Sequence, residues 1–477
     1  MRDNSLLDSV LASLPASIEL PAGTGKTELI GRLVQRGAAT GRRALVLTHT
    51  HAGVDVVRRR LRRFGVPQRA ATVRTVDSWS FDLISKMPQL AGITVGDGPD
   101  WRLSRQYHEA SRAAVDSDAI TKMLRASYEL VIVDEYQDCQ IWQQELITAI
   151  STAVPTCVLG DRMQGLFYFG DAVPVDWATE VLPAFPDHPI DVTPWRWAGR
   201  NEKLGEWLLH ARTALGAGIS IDLAQAPVIL ASPLDGMRPY FDVPKHPDST
   251  VAITQFPSDA ALLARRLGGA YTMIEEIEGK HLRQFASVID SGEPAAVAAG
   301  TIGYAINCAF GPADTFAQRH RTGLANGKSM PVGQDEHSVG LAIQAVNSLL
   351  FDPAPARVRT ALQLISRTPS FRLFRREAWY GILDALRLCE TTADLNALDA
   401  VISIRTRLSR SGRRPEPRIV GRPLLVKGLE FQHAIIDKPD RYNAHELYVV
   451  LSRASTSITV ISDATSFAPE KPQRQEP

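Results

Sequence analysis

The stretch "LPAGTGKTELI", residues 20–30, places two glycines, a lysine and a hydroxyl at a spacing that suits phosphate. Successive backbone N–H groups can curl around phosphate oxygens only where side chains stay out of the way, which makes Gly23, Thr24 and Gly25 a candidate cradle. Lys26 can reach the β and γ phosphates, Thr27 can hold Mg²⁺, and a helix opening here points its N-terminus at the anion. The partner such a loop needs is "LVIVDEYQD", residues 130–138. Its apolar run ends in Asp134, which can join the Mg²⁺ shell, and Glu135, which can polarise a water for attack on the γ phosphate. ATP and Mg²⁺ are the expected ligands. Gln137 and Asp138 are required by neither task.

These groups need elements to position them. "RALVLTHT" (43–50), "YELVIVDE" (128–135) and "PTCVLGD" (155–161) are strand-length apolar runs with polar residues at their carboxyl ends. "TELIGRLVQRG" and "GVDVVRRRLRRFG" carry apolar residues at helical spacing between them. Alternation of this kind implies a parallel sheet covered on both faces, with ligands at the carboxyl ends of its strands. A second alternation begins at "STVAITQF" (249–256) and resumes with "EFQHAIID" and "TSITVISDA". The segment between is helical in pattern, most clearly in "AVAAGTIGYAINCAF" and "VGLAIQAVNSLLF". The expected organisation is therefore an α/β domain over 1–210 with a short insertion near 88–125, and a second one over 211–281 plus 411–465. A helical insertion fills 282–410, and 466–477 is a proline-rich, disordered tail.

Bulk properties exclude several classes. At 477 residues the chain can bury sizeable cores, and 44% hydrophobic with 22% charged residues is ordinary for a globular protein. A formal charge of +1 offers no global attraction to nucleic acid, so any such site depends on local clusters. The four cysteines form no Cys-x-x-Cys pair, which argues against a zinc site or disulfide framework. No apolar run of about 20 residues spans a bilayer, and the N-terminus makes a poor signal peptide, so the expected location is the cytoplasm without membrane partners.

At "DEYQD" the chain resembles the UvrD/Rep group of superfamily 1 helicases, and further segments follow that family's order. "LVLTHTHAGVDVVRRRL" (45–61) looks like its Thr-Phe-Thr-Asn-Lys-Ala-Ala motif, which implies single-stranded DNA contacts at Thr48, Thr50 and His51. "VRTVDSWSFDLI" (73–84) resembles Thr-x-His-Ser-Phe, with Asp77 for His and Trp79 for Phe as a DNA contact. "VLGDRMQGLFYFGDA" (158–172) resembles the segment holding a γ-phosphate sensor, here Gln164, and a base-stacking aromatic, here Phe169. "VTPWRWAG" (192–199) implies Trp195 against adenine and Arg196 on the γ phosphate. "LLVKGLEFQHAII" (424–436) places Gly428 near nucleotide and DNA and Glu430 on the ribose, and "ELYVVLSRAS" (446–455) offers Arg453 as an arginine finger. The resemblance implies two RecA-like P-loop domains. Residues it casts as catalytic are Glu135, Gln164, Arg196 and Arg453.

The departures are specific. No Gln precedes the phosphate loop at the family's adenine-reading position, and Glu28 stands where an Arg often follows Gly-Lys-Thr. Leu424 replaces the His that precedes Lys-Gly-Leu-Glu-Phe. Both insertions are compact, which predicts weak unwinding by the isolated chain. "VVRRRLRRFG" and "RTRLSRSGRRPEPR" supply arginine runs that could follow a phosphate backbone, or simply form solvated faces. Two readings follow: a single-stranded-DNA-dependent ATPase that moves 3′ to 5′ on single strands or junctions, or a DNA-sensing ATPase subunit. The second would work beside a nuclease or other complex subunit, as in Gabija-type antiphage systems.

Overall fold

The computed structural model describes residues 4–38, 43–96, 98–166, 173–242, 249–276, 279–332, 336–411 and 416–470. By packing, the chain divides into two units, one of residues 1–228, 440–457 and 464–477, the other of residues 229–439 and 458–463.

The first unit is built on five strands: β1 (Ala16–Glu19), β2 (Arg43–Thr48), β3 (Ala71–Thr75), β4 (Tyr128–Val133) and β5 (Thr156–Gly160). They lie in the order β1-β5-β4-β2-β3 and every pairing is parallel. Covered on both faces, they read as continuous apolar runs, yet their side chains still alternate. Leu45, Leu47, Val131, Val133 and Val158 face one apolar cluster; Ala44, Val46, Leu130, Ile132, Cys157 and Leu159 face the other.

The second of these faces is closed by α1 (Asn4–Ala12), α2 (Lys26–Ala38) and α3 (His51–Arg63). In α3 the buried residues Val54, Val57 and Leu61 form the inward stripe, and the helix's arginines, Arg58, Arg59, Arg60, Arg62 and Arg63, lie off it. The opposite face is closed by α4 (Val76–Lys86), α5 (Pro88–Ala91), α6 (Ser104–Val115), α7 (Asp118–Ser127) and α8 (Ile141–Ser151), so the insertion expected near 88–125 is itself helical. Ser466 and Phe467, assigned to the tail by sequence, instead pair antiparallel with Ile221–Asp222; residues beyond 470 lie outside the described set.

The second unit contains a six-stranded sheet. Its order is Ile229–Ala231, Ala454–Ile461, Phe431–Asp437, Thr250–Ile253, Arg418–Gly421 and Thr272–Met273. The central strand Thr250–Ile253 runs parallel to both neighbours. "AYTMIEEI" contributes only two strand residues. Between Thr272–Met273 and Arg418–Gly421 lies the helical region, whose largest helices are Pro294–Cys308, Arg376–Thr391 and Ala397–Ser411. These pack around Phe285, Ile302, Leu362, Trp379 and Ile382. The chain is thus an α/β protein with two parallel sheets covered by helices.

Candidate nucleotide site

Strand order explains why the site assembles. β1, β5 and β4 are consecutive in the sheet and parallel, so their carboxyl ends open side by side. The phosphate loop leaves β1, Asp161 to Gln164 leave β5, and Asp134 and Glu135 leave β4.

The loop turns through Gly23 at φ +72° and Gly25 at φ +101°, conformations that side chains disfavour. A Cβ on Gly23 would also lie 2.8 Å from both Arg196 Cβ and the Trp197 ring. Arg196 N–H donates to the Gly23 carbonyl at 3.0 Å, which fastens the segment 195–197 to the loop. Trp195 lies beside Gly25, its Cδ1 3.4 Å from where a Cβ there would sit, and 48% of it is exposed. An aromatic face left open next to a phosphate loop can receive a base. The Thr24 hydroxyl donates to the Pro21 carbonyl at 2.7 Å, shaping the turn rather than facing a ligand.

Lys26 opens α2, and its ammonium lies 2.8 Å from Glu135 Oε2 and 3.6 Å from Asp134 Oδ1. Burial works against the charge on Lys26, but Glu135 and Asp134 outweigh it and hold the ammonium above its ordinary range. Burial, together with the charge of Glu135, pushes the Asp134 carboxyl up to about 6 despite Lys26. Two crowded acids beside one lysine are a donor set suited to a hard divalent cation. Asp134 and the half-buried Thr27 at the start of α2 would hold Mg²⁺.

Glu135 adopts φ +55°, a left-handed conformation rare for a residue with a side chain, and its N–H donates to Asp134 Oδ1 at 2.9 Å. Asp161 is completely buried and accepts from Gln164 Nε2 at 2.9 Å and from Arg212 Nε at 2.9 Å. Arg212 also pairs with Glu19 at the end of β1. Burial lowers the affinity of Arg212 for its proton, yet Asp161 and Glu19 more than restore it and raise it above the usual value.

Arg453 and Arg196 reach this cluster from different segments of the same unit. Arg453 is 1% exposed; its Nη2 donates to Gln164 Oε1 at 3.3 Å and its Nε to the Val449 carbonyl at 2.8 Å. Arg196 Nη1 donates to the Ser452 carbonyl at 2.6 Å. Glu135, Gln164, Arg196 and Arg453 therefore share one unit with the phosphate loop. Gly428 and Glu430 belong to the second unit, where they precede the strand Phe431–Asp437.

The candidate DNA residues divide. Thr48 closes β2 and is buried; Thr50 caps α3 by accepting from Gly53 N–H at 3.0 Å; His51 opens that helix and is exposed. Trp79 is 6% exposed and packs among Leu45, Leu47 and Leu83, so its ring faces the core rather than a strand of bases. Phe169 lies outside the described residues. Asp77, standing for the family's His, accepts from Gln143 Nε2 at 3.0 Å and lies 3.1 Å from His108 Nε2. Burial raises the Asp77 carboxyl, but the hydrogen bond and charge of His108 prevail and bring it below the usual carboxylate range.

Glu28 has a clear structural job. Its Oε1 accepts from Arg32 and its Oε2 from Arg60 at 2.9 Å, tying α2 to α3, while the Arg32 guanidinium lies 5.6 Å from the Phe64 ring centre. Several residues of the site escape sequence reasoning. The Tyr448 hydroxyl accepts from Ala22 N–H at 3.0 Å, steadying the loop from the helix Ala444–Leu451. Asp161 has a signal in its sequence, since it follows an apolar run as Asp134 does. Arg212 has none.

Residues 5–170 match a family model described as an AAA domain. No curated protein matches the chain. Among solved structures the chain is similar to the Pif1 helicase from Candida albicans, at 11% identity over 98% of this chain and 96% of that one, with a TM-score of 0.40. It is also similar to an arterivirus nonstructural protein 10 (helicase) in complex with DNA, at 12% identity over 96% of this chain, with a TM-score of 0.35. It covers 63% of the arterivirus protein's length. The stretch matching the AAA domain runs from α1 past β5 and contains the phosphate loop, Asp134, Glu135, Asp161 and Gln164.

Proposed function

We propose that the chain is an ATPase driven by single-stranded DNA, a helicase or translocase of the UvrD/Rep kind that moves 3′ to 5′. The observation that carries the reading is the gathering of Lys26, Glu135, Gln164 and Arg453 around one phosphate loop from four separate segments. A kinase-type site accounts for Lys26 and Asp134 but leaves the Gln164–Arg453 contact without a purpose.

In this reading the loop amides and Lys26 receive the β and γ phosphates, and Trp195 receives the base. Thr27 and Asp134 would hold Mg²⁺, which would neutralise charge on the phosphate oxygens. Glu135 takes the proton of the attacking water as the new O–P bond forms and the bond to the β-phosphate oxygen breaks, so that ADP leaves. Gln164 orients the γ-phosphate, and Arg453 and Arg196 spread its charge, an effect worth about 10³–10⁵ in rate for arginine fingers. Gly428 and Glu430 keep the nucleotide roles that the resemblance implies. Thr50 and His51, at the start of α3 beside the carboxyl end of β2, are the proposed DNA contacts, with Thr48 beneath them.

The test is the ATPase rate with and without a single-stranded oligonucleotide, in the wild type, Lys26→Ala and Glu135→Gln. Stimulation by the oligonucleotide that both substitutions abolish supports the reading; an ATPase rate indifferent to DNA rejects it. Strand displacement from duplexes with a 3′ or a 5′ tail then tests direction.

A further inference from the structure

Gln137 follows the two acidic residues of "DEYQD", and neither phosphate nor metal binding accounts for it. It is 5% exposed, and its amide joins two parts of the site. Nε2 donates to Glu135 Oε2 at 2.6 Å, while Oε1 accepts from the N–H of Asp161 at 2.9 Å. The second bond fixes the first, because an N–H can face only the oxygen end of the amide. Packing holds the group in place: a Cβ on Gly160 would lie 2.7 Å from Gln137 Oε1 and 2.8 Å from the Trp177 ring.

Glu135 Oε2 is therefore gripped by two donors, the Gln137 amide and the Lys26 ammonium 2.8 Å away. Their fates differ during turnover. A bound nucleotide draws Lys26 toward phosphate, whereas Gln137 is anchored to the backbone after β5 and stays. A donor fixed on one carboxylate oxygen sets the rotation of the whole group, and so the place of the other oxygen where water must be met. The anchor matters too, since Asp161 carries Gln164 on its Oδ2.

We propose that Gln137 is a positioning residue for Glu135, holding the base in register with the loop that carries Gln164. The inference rests on the ATPase reading above. It ranks Gln137 with the residues that set turnover rather than nucleotide affinity, because misplacing a reacting group by about 1 Å can cost about 10²-fold in rate.

The experiment compares wild type, Gln137→Met, Gln137→Glu and Glu135→Gln in steady-state ATP hydrolysis with single-stranded DNA. Affinity for a fluorescent ATP analogue and the unfolding midpoint are measured alongside. Methionine keeps the length of the side chain without its hydrogen bonds; glutamate keeps the acceptor for Asp161 and removes the donor to Glu135. Expected is a fall in kcat of about 10- to 100-fold in Gln137→Met, with KM and analogue affinity within about threefold of wild type, and a larger fall in Gln137→Glu. A kcat for both variants within twofold of wild type overturns the proposal. So does a fall in kcat matched by equal loss of analogue affinity and of the unfolding midpoint, since that marks a purely structural role. A wild type that hydrolyses no faster than Glu135→Gln rejects the ATPase reading itself, and the role of Gln137 falls with it.

Discussion

The Arg453 guanidinium donates to the side-chain carbonyl of Gln164 across 289 positions of sequence, in a site where Arg453 is 1% exposed. It also donates to Val449 O and Ser452 Oγ at the end of the helix Ala444–Leu451, where carbonyls concentrate partial negative charge. These oxygen dipoles favour a cation at this place. A γ phosphate offers it a stronger partner.

Arg453→Ala and Gln164→Ala are each expected to lower kcat for ATP by about 10²- to 10³-fold, with nucleotide affinity changed by less than about tenfold. Because the two side chains touch, the double variant should lose less than the sum of the single losses, with a coupling of about 1 kcal/mol or more. Additive effects in the double-mutant cycle count against a shared role.

Asp161 is completely buried and depends on Arg212 for compensation of its charge. Removing one member of a buried pair costs about 3–5 kcal/mol, because the remaining charge stays out of water. Arg212→Met is therefore expected to destabilise the protein by that amount in urea titrations. Adding Asp161→Asn should recover part of the loss, since it removes the stranded charge. A double variant less stable than Arg212→Met would show that Asp161 serves chiefly through its other bonds, to Gln164 and Met163.

Glu28 invites a comparison of two substitutions. Its pairs with Arg32 and Arg60 are partly exposed, so Glu28→Ala should cost only about 0.5–1.5 kcal/mol. Glu28→Arg sets a third cation between two arginines and should lower the unfolding temperature further. Equal unfolding temperatures for the two variants would mean that the arginines simply turn away to solvent.

What could be read in advance follows a physical boundary. The phosphate loop, the Asp134–Glu135 pair and the helices of residues 282–410 are local: their spacing, apolar period and turn chemistry lie within short windows. The order β1-β5-β4-β2-β3 is not local, and it alone brings Glu19, Asp161 and Glu135 to one edge. Tyr448 and Arg212 are not legible as site residues in the sequence because their partners, Ala22 and Glu19, lie 426 and 193 positions away. Trp79 shows the reverse failure. Its place in a motif implies a DNA contact, whereas the inward stripe of α4 puts it in the core with Leu83.

Asp77 supplies the pH test. Its carboxyl lies below the usual carboxylate range in the folded protein, with His108 as the favourable partner that overcomes burial. A depressed folded value means that Asp77 contributes stability fully above its unfolded value of about 3.9, and that the contribution fades as pH falls through the folded value. Asp77→Asn should therefore lower stability near neutral pH, by about 1 kcal/mol for a pair whose acid is one-third exposed. The gap between variant and wild type should close as pH falls below about 4, as wild-type Asp77 takes up its proton. Unfolding midpoints in urea for both proteins from pH 7 to 3 measure this directly. A gap that persists undiminished at the acid end would mean that the charge of Asp77 is not the source of its contribution, since the protonated acid would then still outperform asparagine.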